Sequence, residues 1–459
     1  MSGNVPSGQH EFWSTRVGFI MAAVGAAVGL GNIWRFPYAA GTGGGSAFVM
    51  VYILAVVAVA LPMLVAELSL GRRGGGSPPL TFANLAREAG ATGRWRVLGF
   101  AGLFIVFMIL TFYSVIGGWV MAYIPRALSG EFTGATTEQV GGIFDALLAD
   151  PWELMGWHAV FMVGTVWIVA RGVKRGIEMA ADVLMPTLFV LLVLMMFYAA
   201  FVGDFAGAAD FLFTPDFSKL TPQVVMAAVG QALFSTAVGA GTMITYGAYL
   251  NKSASIPRMA GIIAAGDTMV ALVAGLVIFP LVFANGQSPG EGPGLIFVTL
   301  PVAFAHMPGG AIVAPLFFVL LMFAAVTSSI AMLEPIVSWA EEQRGIRRPV
   351  AAVIGGIAAW LVGLCTVFSF NIWKDVHPLN FMKIFEGKTF FDLIDFAVSN
   401  VMLPLACVSI LVFSAWVMPA KSMKDEISGG PSLFFTIWRF MARYVAPIAV
   451  VTILINGFR

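Results

Sequence analysis

The chain has 459 residues, 59% hydrophobic and 11% charged, with a mean hydropathy of +0.90 and a formal net charge of +1. A soluble core of this size cannot hide so much apolar surface, so the chain reads as an all-α polytopic membrane protein. The near-neutral balance, without a basic tail or zinc-spaced Cys/His sets, argues against nucleic acid as a partner, and the two cysteines, Cys365 and Cys407, both fall in apolar spans where a disulfide framework is not expected.

Apolar stretches able to cross a bilayer, about 20 residues each, number eleven. They cover 14–40, 46–71, 97–125, 158–174, 178–202, 222–251, 257–284, 312–340, 349–369, 390–418 and 435–456. The first is too polar for a cleavable signal and is expected to stay in the chain. Its run from Gly25 to Phe48, GAAVGLGNIWRFPYAAGTGGGSAF, puts Gly25, Gly29 and Gly31 beside Asn32 and Arg35, with Pro37 close behind. Glycines weaken the helix where an amide and a full charge reach membrane depth, and freed backbone carbonyls survive there only around a polar site or inside protein. Such a set suits an ion and an anionic group. The competing reading is a Gly-rich packing face with a snorkelling Arg.

Lys and Arg gather on one side, among them Arg72, Arg73, Arg94, Arg96, Arg171, Lys174, Arg175, Arg344, Arg347 and Arg348. That bias predicts a cytoplasmic N-terminus in the cell (inner) membrane, and an odd number of spans then leaves the C-terminus external. The inner loop 71–79, GRRGGGSPP, is expected to be flexible, and the segment 286–310 reads as a helix pair over a vestibule or as a plain surface loop. The sixth span repeats the oddity of the first: Gly230 to Gly241, GQALFSTAVGAG, interrupts a helix that also carries Gln231, Ser235 and Thr236. Interrupted helices at the head of each five-helix half, 14–202 and 222–418, with 435–456 as an eleventh helix, fit an inverted-repeat transporter.

The run NIWRFPY with its Gly cluster, the Tyr113 to Trp119 stretch YSVIGGW, the GQALFS run and AAVTSSIA at Ala324 to Ala331 together resemble the neurotransmitter:sodium symporter family. The departures are the cluster Gly43, Gly44, Gly45 and Ser46, where the family usually has Asn-Gly-Gly-Gly, and the lack of a twelfth helix. The resemblance implies a single transporter domain of the 5+5 inverted-repeat fold with broken first and sixth helices, and no enzyme activity. It also implies symport of an amino acid with Na+ at two sites, since hard oxygen ligands from uncoiled backbone and hydroxyls suit sodium. By that resemblance one sodium takes the carbonyls of Gly25, Val28 and Ala324 with the hydroxyls of Thr327 and Ser328; without the family, both hydroxyls read as helix-packing groups bonded to their own carbonyls. The other sodium takes the Ala27 carbonyl, Asn32, Ser235, Asp267 and the substrate carboxylate.

The resemblance also places the substrate carboxylate at the backbone of Leu30 and Gly31 and at Tyr113, and the ammonium at carbonyls around Phe234 to Thr236. The side-chain pocket falls to Val24, Ile109, Val238, Ala240, Ser329 and Met332, where Ala240 stands at a position that can hold Phe in the family and should admit large apolar or aromatic side chains. Arg35 facing Asp395 forms an outer gate under which Phe234 and Tyr113 act as a lid. Trp13 plugs the inner mouth, with Glu341 and Glu342 as partners of the N-terminal segment and His10 where a basic gate residue often stands. Glu67 is read as an acceptor for the unwound sixth helix, and Gly176 with Pro186 as the place where the fifth helix unwinds.

Tyr52, Gln231 and Ser235 match groups that hold chloride in animal members, but the fourth position is Ala271, while Asp267 stands one helical turn earlier where Asn is usual. A fixed carboxylate there predicts transport without chloride, with proton uptake on the return step as an option. A Na+-free or proton-coupled carrier, or an amine or small-amino-acid carrier of the same fold, stays open. A channel would need a continuous polar stripe. An enzyme would need a nucleophile or metal set, and His10, His158, His306 and His377 all lie at or near span ends. Beyond the lipid bilayer, the amino acid and sodium no partner is implied, and the oligomeric state is open.

Overall fold

A computed structural model describes residues 13–287, 294–428 and 432–456, and every regular element among them is helical. The helices are α1 (Arg16–Ala27), α2 (Gly31–Thr42), α3 (Ser46–Gly74), α4 (Pro78–Glu88), α5 (Gly93–Leu128), α6 (Thr137–Ala149), α7 (Pro151–Ala170), α8 (Val173–Val202) and α9 (Phe205–Phe213). They continue as α10 (Pro222–Ser235), α11 (Thr242–Ala248), α12 (Ile256–Ala284), α13 (Leu295–His306), α14 (Gly310–Arg344), α15 (Arg348–Ser369), α16 (Phe390–Val417), α17 (Ala420–Ser428) and α18 (Leu433–Asn456). Among the described residues nine of these are long and apolar enough to cross a membrane, and α1 with α2 makes a tenth as one span bent by 50°. The expected count of eleven further requires α10 and α11 to serve as one broken crossing.

Both breaks have local causes. Val28 leaves the helix with ψ 106°, and the side chain of Asn32 turns back to accept from Gly29 N at 3.0 Å, replacing a helical bond that the break removes. Between α10 and α11, Ala237, Gly239 and Gly241 all take positive φ, at 53°, 87° and 80°. Glycine tolerates that region; Ala237 is a strained position held by its surroundings. The Glu67 carboxylate of α3 accepts the freed Gly239 N–H at 2.5 Å, which is the role expected of it.

The broken pairs lie inside the bundle. α5 and α14 pack along each other, α11 packs on α3, α12 on α8, and α7 on α15. α8 and α18 keep the largest apolar share of their surfaces outward, as lipid-facing helices do.

Three outcomes differ from the sequence reading. The loop 71–79 is tied down, because Arg72 Nε reaches Glu426 at 2.5 Å, its Nη1 reaches the Ala254 carbonyl at 2.5 Å, and Ser77 N donates to Glu342 at 2.7 Å. Its Ser77-Pro78-Pro79 end opens a helix, α4, since proline suits the first helical turn. The segment 286–310 holds one helix, α13, among its described residues, while 288–293 lie outside them.

Candidate substrate and sodium site

Asp267 of α12 has no exposed surface and gathers three donors: Asn32 Nδ2 at 2.7 Å, Ser235 Oγ at 2.9 Å and Tyr52 OH at 3.1 Å. These come from α2, α10 and α3, so one carboxylate ties both breaks to the surrounding helices. A buried carboxylate without a cation needs such donors, and its charge equally favours a cation beside it. Gln231 donates through Nε2 to the Gly31 carbonyl at 2.7 Å, and its buried Oε1 has no partner among the described residues.

A second oxygen cluster forms where α1 meets α14. Ser328 Oγ lies 3.4 Å from the Gly25 carbonyl and 3.3 Å from that of Val28. Thr327 Oγ1 lies 3.1 Å from the Ala324 carbonyl and 3.0 Å from that of Phe323, so its hydroxyl is also bonded within its own helix. The Gly25 and Val28 carbonyls thus meet Ser328 Oγ between the two helices, and the Ala324 carbonyl pairs with Thr327 Oγ1 on α14; all are neutral oxygens, a donor type that suits a hard monovalent cation.

Between the clusters lies a cavity of about 40 Å³ lined by Ala27, Gly31, Ile109, Tyr113, Phe234, Ser235, Val238, Ala240, Ser328 and Met332. Leu30 sits above it, with its N–H 3.3 Å from Tyr113 OH. Phe234 and Tyr113 divide this cavity from a vestibule of about 520 Å³ that also holds Arg35 and Asp395.

A family model for the sodium:neurotransmitter symporter family matches residues 10–140 and 149–459. The chain belongs to that family. It is 37% identical over 451 residues to the "Uncharacterized sodium-dependent transporter YhdH" of Bacillus subtilis, covering 97% of each chain. It is 33% identical over 456 residues to an uncharacterized sodium-dependent transporter of Haemophilus influenzae, covering 98% of each. Among solved structures it is similar to MhsT in complex with L-phenylalanine, at TM-score 0.89 and 39% identity over 97% of this chain and 99% of that one. This chain is accordingly a sodium-dependent transporter and a multi-pass membrane protein, and its relatives are transporters, not enzymes.

Most of the substrate-site residues named from the sequence line the cavity between the two clusters; besides Leu30, three do not. Val24 packs against α12, where a Cβ on Gly266 would meet its Cγ1 at 3.2 Å. Thr236 turns its hydroxyl back to the Ala232 carbonyl at 2.7 Å, a bond that does not touch the backbone carbonyls expected of Phe234 to Thr236. Ser329 faces α7, 2.8 Å from Thr165 Oγ1. None of the three lines the cavity. Val106, Leu233, Ala237, Ala331 and Leu403 do line it and were missed. Ala331 lies one turn beyond Ser328 on α14, a spacing that could have found it.

The residues expected to form the two gates are arranged differently. Arg35 and Asp395 share the vestibule without reaching ion-pair distance; Arg35 instead lies over the Phe234 ring at 4.3 Å, and Asp395 accepts from Ser399 at 3.0 Å. At the other end Trp13 is 2% exposed, donates from Nε1 to the Tyr246 carbonyl at 3.2 Å and from its backbone to Tyr249 at 3.3 Å, and meets both rings edge-on. Glu341 pairs with Arg348 at 3.4 Å and Glu342 accepts from Ser77, while His10 and the rest of the N-terminal segment they were expected to partner, up to residue 12, lie outside the described residues. The described part of that segment is held by Glu178, which the sequence reading missed.

Proposed function

We propose that this symporter carries a hydrophobic or aromatic L-amino acid into the cell with sodium, by alternating access and without chloride. The observation that carries the substrate class is the cavity's composition: Ile109, Val106, Val238, Ala240, Ala331 and Met332 offer one apolar half, directly beneath the Leu30 N–H and the Tyr113 hydroxyl. An amino acid fits that division, its carboxylate at the helix start and its side chain in the apolar half. The likeness to MhsT, whose solved structure holds L-phenylalanine, supports the same class. At about 40 Å³ the cavity has room for about three waters, so a large side chain enters only as Met332 and Phe234 swing aside, and methionine is suited to that.

Two sodium ions are assigned, one to Gly25, Val28, Ala324, Thr327 and Ser328, the other to Ala27, Asn32, Ser235, Asp267 and the substrate carboxylate. Asp267 supplies a fixed negative charge beside the second ion, in place of an exchangeable anion, and offers a proton acceptor once sodium has left. The Trp13 mouth is assigned to the cytoplasm and the Arg35 vestibule to the outside, by the Lys/Arg bias. A second reading, a carrier of small amino acids, is favoured by the cavity volume. Uptake of labelled amino acids into proteoliposomes decides: sodium-driven uptake of Phe, Trp, Tyr or Leu over Gly and Ala is expected. Equal uptake in potassium would remove the sodium coupling, and a ranking led by Gly or Ala would favour the second reading.

A further inference from the structure

Glu178 is a buried carboxylate that the binding site does not use. It closes the six-residue π-wound opening of α8, Val173–Glu178, and is 5% exposed. No Lys or Arg among the described residues reaches it at ion-pair distance; Arg16, the cation next to its donors Ser14 and Thr15, turns to Ser253 Oγ at 3.3 Å. Its compensation is the start of α1. Ser14 N donates to one carboxylate oxygen at 2.9 Å, and Thr15 N donates to the other at 3.2 Å.

The chemistry is that of a helix capping box divided between two helices. In an ordinary box the N-cap Ser or Thr hydroxyl accepts from the third residue's N–H, and that residue's Glu side chain reaches back to the N-cap N–H. Here Thr15 is the N-cap and its Oγ1 accepts from Gly18 N at 2.8 Å, but the third residue has no side chain. Glu178 of α8 fills the missing half, and a Cβ on Gly18 would run into its carboxyl group, so glycine is what leaves it room. Charge favours the arrangement too, since the first turn of a helix attracts an anion.

The geometry points to Glu178 as a positioning residue for transport: a cap supplied in trans that latches the Trp13 end of the first helix to the fifth. This rests on the alternating-access reading. Trp13 fastens the same short strand to Tyr246 and Tyr249 of the broken sixth helix, so α1 and α11 can swing as one piece, and the bonds that must part are those to Glu178. The far end of α1 carries the Gly25 and Val28 carbonyls. Sodium held there and the latch at the near end then favour the same closed state, and each strengthens the other.

The test uses the full chain in lipid nanodiscs. Glu178→Ala removes the latch. Glu178→Ala combined with Gly18→Glu moves the carboxylate into the first helix itself, restoring the cap without the tie to α8. Expected for the folded single variant are amide hydrogen exchange over residues 14–20 about tenfold faster, with or without sodium, and about tenfold weaker half-saturation in sodium-dependent thermal stabilisation. In the double variant sodium half-saturation stays weakened. Unchanged exchange or unchanged sodium half-saturation in the single variant overturns the latch. Full recovery of sodium affinity in the double variant overturns it as well, leaving an ordinary helix cap. Wild-type protein that sodium does not stabilise would instead refute the sodium assignment, and the exchange comparison without sodium would still judge the contact itself.

Discussion

Asp267→Asn exchanges one oxygen for nitrogen and removes one negative charge from a side chain with no exposed surface. The carboxylate accepts from Asn32, Ser235 and Tyr52 at 2.7, 2.9 and 3.1 Å, and the new amide turns a donor toward groups that are themselves donors. A sodium ion about 4 Å from a carboxylate gains about 4 kcal/mol at an effective dielectric of about 20, equivalent to about a thousandfold in affinity. The amide carbonyl returns part of this, so sodium half-saturation is expected to weaken about a hundredfold. The assay is sodium titration of thermal stability in nanodiscs with choline as the replacing cation, beside uptake with chloride replaced by gluconate. Wild-type uptake should be unaffected by gluconate. The variant Asp267→Asn, Ala271→Ser, which rebuilds a neutral anion site, should regain uptake only with chloride. A folded Asp267→Asn protein that keeps wild-type sodium half-saturation refutes the reasoning, and strong inhibition of the wild type by gluconate refutes chloride independence.

Thr327→Ala with Ser328→Ala should lower sodium-driven uptake about a hundredfold or more while the protein stays folded, since the lost hydroxyls face carbonyls rather than core contacts; wild-type sodium dependence in that variant would remove this ion from the cluster. Ala240→Phe should shift the preference toward small amino acids by about tenfold or more in relative uptake, and an unchanged ranking would count against the apolar half as the side-chain pocket. Outside the membrane, hydrogen bonds from Arg73, and one from Ser422, hold the Glu88 carboxyl below its ordinary value of 4.5. A lowered folded-state value stabilises above the unfolded value and is lost as pH falls through the folded one. Glu88→Gln should therefore lower the thermal midpoint slightly, by about 1–2 °C at pH 7, with the gap closing below pH 4; a gap that ignores pH would place the effect elsewhere.

What the sequence made legible was governed by composition and by backbone permissiveness. Twenty-residue apolar runs locate crossings because the bilayer sets one length, and the glycines at 29 and 31 and at 239 and 241 mark the breaks because glycine weakens a helix. Side-chain direction was harder. Thr327, Ser328 and Ser329 are consecutive, and a helix turns about 100° per residue, so the phase of α14 alone decides which hydroxyl faces carbonyls and which faces Thr165. Composition carries no phase. Nor could spacing reveal Glu178, whose partners lie far away in sequence and bind it through backbone N–H groups that every residue possesses.

The same distinction bears on how the proposed ligands would be coupled. Gly25 and Val28 contribute carbonyls to one cluster, Asn32 serves the Asp267 cluster, and the Leu30 N–H meets Tyr113 between them. Each ion and the substrate carboxylate therefore draws part of its assigned set from about two turns of one interrupted helix. Filling any one of these sites fixes the backbone that the others need, and the entropy of ordering that short segment is lost once rather than three times. Coupling on this account requires no relay across the bundle. It would fail where the break itself is repaired, because a continuous helix would bond its own carbonyls and N–H groups and leave none facing the site.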